Sequence, residues 1–174
     1  MRKGDLLFAL LILVIGAFIA LPTTNELFTS ATARAPYAMG FAKFAVLATM
    51  GELLALRILH KRFERPLGLP AKAFVWGIIG VLIVLMFGLY GAGVAGVIAK
   101  GLLPSLPGFA GALFAAFLTS AFMNLTFGPV FMACHRITDT WIDARARGEK
   151  LSLGEVVARI DWVGFLKFVV AKTI

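Results

Sequence analysis

Hydrophobic residues run along this chain in blocks of about twenty, separated by short stretches rich in proline, glycine and basic side chains. Such blocks match the helical length needed to cross roughly 30 Å of hydrocarbon. The alternating ten-residue strands of a lipid-facing barrel are absent. The pattern therefore predicts an all-α fold, a polytopic helical membrane bundle forming a single domain over 1–174. Four spans are expected at about 6–21, 36–58, 71–98 and 108–131. A fifth apolar segment, 163–174, is too short to cross. It reads as a partial helix, and a truncated product is expected.

Punctuation between the blocks adds detail. Pro22 ends the first span, and Thr23 with Glu26 has the spacing of a capping box. A short interfacial helix over Thr24 to Arg34 is expected to follow. Pro36 suits a first helical position. Gly88, Ala92 and Gly96 recur every four residues, a small-residue face for helix packing. Pro104 and Pro107 mark a turn. Ser120, Asn124 and Gly128 share one face of the fourth span, and Pro129 is expected to kink it, freeing the carbonyl of Leu125. Residues 132–161 read as mixed-charge and exposed. Within them Ser152 and Glu155 form a second capping box, stapled by Leu151 and Val156, which predicts a short cytoplasmic helix.

Composition sharpens the class. Hydrophobic residues make up 60%, mean hydropathy is +0.93 and charged residues are 15%, well below the roughly 25% of globular chains. A net charge of +8 could suggest a nucleic-acid partner. The basic residues nevertheless fall in the connections, where membrane topology places them. Arg2 and Lys3, the 57–72 connection and the 136–159 connection lie on one side, leaving Arg34 and Lys100 on the other. The amino terminus is thus expected in the cytoplasm, with a bacterial inner membrane favoured over an organelle. The expected partners are the lipid bilayer and an unidentified small solute or ion. Homo-oligomerisation is left open, and no nucleic acid or cofactor is expected. The lone Cys134 allows no internal disulfide.

Candidate chemistry is sparse. Charges at bilayer depth are costly and are commonly paired or used. Counting 1.5 Å per residue from the span ends puts Glu52, Asn124 and Lys167 at similar depth. They are expected to form a polar intramembrane cluster, as the lining of a solute path or as a structural pair. Lys43 lies nine residues before Glu52, on the opposite helix face, and is expected to snorkel outward. His135, Asp139, Asp143 and Arg147 form a column at four-residue spacing. A solvated helix edge is the favoured reading, and an enzyme metal site at His135, Asp139 and Asp143 is the weaker alternative. No catalytic triad, phosphate loop or cysteine cluster is present, so neither catalytic residues nor a metal is assigned.

Two patches carry a family resemblance. PYAMGFAKFAVLATMGE, residues 36–52, is similar to the Pro-Tyr start and later Gly-Asp pair of the Mpv-seventeen/peroxisomal membrane protein family, with Gly51-Glu52 in the place of that pair. MNLTFGP, residues 123–129, resembles the family's Asp-Gln followed by a proline. Here Asn124 stands for the Gln, Met123 replaces the acid and Pro129 keeps its place. RGEKLSLGEVVARIDW resembles the loop helix leading to a tryptophan, here Trp162. The family's third-span Gly-Pro-x-x-His-x-Trp-Tyr pattern is replaced by LMFGLYGAG. The resemblance implies a divergent bacterial relative lacking its last helix. It also implies a small-solute or ion channel, or a role in membrane homeostasis, with Glu52 and Asn124 in the polar interior.

Overall fold

The computed structural model describes residues 3–173, and among these all regular structure is helical. The helices are α1 (Lys3–Ala20), α2 (Pro22–Arg34), α3 (Pro36–His60), α4 (Leu69–Ala99), α5 (Gly108–Phe122), α6 (Gly128–Ala146), α7 (Leu153–Ala158) and α8 (Trp162–Thr173). A π turn, Met123–Phe127, joins α5 to α6. Three helices are long and apolar enough to cross a membrane: α3, α4, and the continuous Gly108–Ala146. Counting the bent α1–α2 pair as one span gives a fourth, and α8 is a shorter apolar helix. Most large apolar side chains of α1, and several of α4, face outward, as expected when lipid replaces water as the solvent.

The proline and threonine positions set the first bend. Pro22 opens α2, which turns 81° from α1. The freed carbonyls at the end of α1 are met by side chains. Asn25 Nδ2 donates to the Ile19 carbonyl at 2.8 Å, and the Thr24 hydroxyl donates to Leu21 at 3.1 Å. The expected capping box at Thr23 and Glu26 does not form, because the helix has already begun at Pro22 with Leu21 as its cap residue. The second capping box, Ser152 with Glu155, is present and Val156 behind it is fully buried.

Helices α3 and α4 approach most closely through glycine. A Cβ on Gly80 would lie 2.3 Å from the Gly40 carbonyl oxygen, and one on Gly77 would lie 2.4 Å from the Phe41 ring. Backbone contact of this kind needs residues without side chains. The expected packing face, Gly88, Ala92 and Gly96, is exposed instead, and a Cβ on Gly88 or Gly96 would meet nothing. The Gly40–Gly80 contact sets the register. Beyond it α4 continues to Ala99 whereas α3 begins at Pro36, so α4 overhangs by about 22 Å at 1.5 Å per residue. The predicted face lies on that overhang.

Pro129 sits just after the π turn. The Gly128 N–H bonds the Met123 carbonyl, five residues back. The wider turn accommodates the proline ring against the Leu125 carbonyl. Met123–Phe127 and Gly128–Ala146 then run on from α5 as one 39-residue helix rather than stopping. Gly68 takes a left-handed φ of +65°, and its missing Cβ admits Ile142 Cγ2, which would otherwise lie 2.3 Å away. This seats the end of α6 against the start of α4.

Candidate functional site

The start of α4 carries a lysine one turn beyond Gly68. Lys72 is buried, with 6% of its side chain exposed. Its ammonium lies 2.9 Å from Asp139, 3.0 Å from Asp143 and 3.3 Å from Glu52. Three helices therefore converge on one cation: α4 supplies the ammonium, α3 the glutamate and α6 both aspartates. The four-residue spacing of Asp139 and Asp143 puts both on one α6 face. An ammonium has three donors, and each has a carboxylate in reach. Carboxylate remains in excess over cation.

Polar atoms around this centre stay unsatisfied. Glu52 Oε2, Thr49 Oγ1, Trp76 Nε1 and His135 Nδ1 are buried without hydrogen-bond partners. His135 packs on Trp76 with ring centroids 4.2 Å apart. A cleft of about 410 Å³ opens onto Glu52, Lys72, Asp139 and Asp143 from the side of the 60–68 connection. Asp139 also borders a second cleft, of about 370 Å³, shared with His135 and Arg136.

The structure revises the expected site. Glu52 is a site residue, but its partner is Lys72, which the sequence placed in a solvated basic loop. Asn124 is elsewhere. Its neighbour Thr126 shares a hydrogen bond with Tyr90, and Tyr90 lies about 27 Å along α4 from Lys72. The Asn124 amide donates to the Ser120 carbonyl on its own helix, 2.8 Å away. Lys167 is exposed, next to the Phe168 that faces Asn124 across a cleft. Glu52, Asn124 and Lys167 therefore form no cluster. Counting depth from an expected inner end near residue 131 misplaced Asn124, because the helix runs on to Ala146.

The column His135, Asp139, Asp143 is likewise not a solvated edge. Its cation is an ammonium, and among the described residues no group of three or more His, Cys, Asp or Glu side chains is placed to hold a metal ion. Lys43 is half-buried and reaches toward α2: its ammonium donates to Thr32 Oγ1 at 3.3 Å and sits 4.9 Å from the Phe28 ring centroid.

Other charges gather at the same end of the bundle. Arg57 pairs Asp5 through two bonds, 2.7 and 3.0 Å, linking α3 to α1. In the 60–68 connection, Arg62 and His60 hold the Glu64 carboxyl below its ordinary range. Beyond α6, Glu149 bridges Arg147 and Arg159, whose hydrogen bonds likewise hold its carboxyl low. The chain matches no family model, no curated protein and no solved structure.

Proposed function

We propose that this polytopic helical membrane protein passes a small solute or ion, with the Glu52–Lys72–Asp139–Asp143 centre as the polar element of its path. The observation that carries the reading is the excess of half-buried carboxylates around a buried lysine, opening onto a cleft, with Glu52 Oε2 unpartnered. Ionisable groups within membrane helices are costly and point by default to a functional site. The resemblance to the Mpv-seventeen/peroxisomal membrane protein family through Gly51-Glu52 supports the same reading. The concentration of basic residues at the end of the bundle holding this centre supports a cytoplasmic position for that end and for the amino terminus. No enzymatic step is proposed.

The test is flux through proteoliposomes. Protein-containing vesicles should release small ions or solutes faster than empty ones, and Glu52→Gln should change the rate or the cation preference. Flux equal to that of empty vesicles overturns the reading. It would leave a non-transporting scaffold, a second reading favoured by one observation: all three Lys72 donors are already engaged by carboxylates.

A further inference from the structure

Between Lys100 and Arg136 the chain carries no charged residue. Asn124 lies inside that stretch, about 24 Å along the helix from Gly108 and about 18 Å from Arg136. Any placement of a roughly 30 Å hydrocarbon core on these 42 Å or so leaves Asn124 within it. The residue is nevertheless exposed. Neighbouring hydroxyls return their hydrogen bonds to their own helix. Thr119 donates to the Ala115 carbonyl at 2.8 Å, and Thr126 donates to the Phe122 carbonyl at 2.6 Å. Asn124 and Ser120 do not balance in this way. One Asn124 N–H donates to the Ser120 carbonyl at 2.8 Å, and the contact with Ser120 Oγ, at 3.3 Å, is longer than an ordinary hydrogen bond. Among the described residues the Asn124 carbonyl oxygen accepts no hydrogen bond and the Ser120 hydroxyl donates none. An amide left this way in hydrocarbon is costly.

The surroundings of this amide fit another helix. Leu113, Phe117, Ser120 and Asn124 are all exposed and follow one another at intervals of four, three and four residues. That is the spacing of a two-helix seam, in which a single asparagine fixes register and partner number. Acyl chains offer the amide neither donor nor acceptor. A second copy, inserted in the same orientation, carries its own Asn124 at the same depth, and a primary amide complements itself. We propose that this face of α5 and the π turn binds a second copy of the chain about a two-fold axis along the membrane normal. Each Asn124 carbonyl oxygen accepts from the other copy's amide N–H, which gives up its long contact with Ser120 Oγ. The interface is isologous and closed. It lies about 22 Å along the helix from Asp139 and does not depend on the proposed path.

The test measures energy transfer between donor- and acceptor-labelled chains in phosphatidylcholine liposomes, with the labels on the amino terminus. Transfer in the parent should rise with protein density and saturate at the level of a dimer. Asn124→Leu should raise the dissociation constant roughly tenfold, or about 1.4 kcal/mol, the scale of two interhelical hydrogen bonds. Asn124→Gln keeps the amide and should retain most of the association. A second measurement leaves Asn124 in place. In a Cys134→Ser background, Phe117→Cys should form a disulfide between copies. Leu125→Cys, also exposed but roughly 100° round the helix from Asn124, should not. A parent that stays monomeric at every density overturns the proposal and leaves the amide to water. So does a dimer that Asn124→Leu does not weaken, or one that cross-links through position 125 and not through 117.

Discussion

Replacing Lys72 by methionine leaves Glu52, Asp139 and Asp143 facing one another without a counter-ion. Removing one partner of a buried ionic group costs about 3–5 kcal/mol, because the remaining charges stay desolvated. The lower end is expected here, since Asp143 keeps 33% of its side chain exposed. In detergent the thermal midpoint of Lys72→Met should fall by roughly 6 °C or more. Adding Asp139→Asn should recover part of that loss, as non-additivity of coupled sites requires. A single mutant as stable as the parent would mean that the lysine is not holding the helices together. Glu52 was legible in sequence because an acid in an apolar run stands out. Lys72 was not, because four other basic residues precede it between positions 57 and 65. Its difference from them is positional: it falls one turn inside α4, after Gly68, where the helix already packs against α6.

The α3–α4 contact rests on the absence of two side chains, which gives a paired test. Gly80→Ala would place a methyl 2.3 Å from the Gly40 carbonyl oxygen and 2.7 Å from Phe44 Cβ. Neither neighbour is the end of a flexible side chain, so the helices must part. A loss of about 1–3 kcal/mol is expected from overpacking. Gly96→Ala meets nothing and should be neutral, or stabilising by up to about 1 kcal/mol through helix propensity. Thermal unfolding of the two variants checks the pair, and the assignment fails if Gly96→Ala is the damaging one. Helix positions were readable from apolar run length and proline placement, and the α3, α4 and α8 boundaries fall within about two residues of expectation. Which small-residue face packs was not readable. Gly40, Gly77 and Gly80 carry the contact, and because α3 begins level with the middle of α4, Gly88, Ala92 and Gly96 fall beyond its end.

Across the whole molecule the ionic links cluster at one end: Asp5 with Arg57, the Lys72 centre, and Glu149 with Arg147 and Arg159. Glycine contact holds the middle of the α3–α4 pair, and the overhanging end of α4 is tied to the π turn by Tyr90 and Thr126. The carboxyls held low beside α7 predict an acid response in the α6–α7 region. Arginine hydrogen bonds hold the Glu149 carboxyl low, and the Ser152 hydroxyl and N–H do the same for Glu155. For a carboxyl held low in the fold, the stabilisation is full above the ordinary glutamate value near 4.3 and is lost as pH falls through the lowered value. Between pH 8 and 5 the link should therefore not change, and it should open only below about pH 4. Trp162 reports on it, because its indole N–H donates to the Val157 carbonyl of α7 at 2.9 Å. With Trp76 and Trp141 replaced by phenylalanine, Trp162 emission should stay constant from pH 8 to 5 and move to longer wavelength below about pH 4. Glu149→Gln removes the charge that both arginines hold, so its emission should already be shifted at neutral pH. An emission change centred between pH 5 and 8 would instead tie α7 to a histidine and would contradict this assignment.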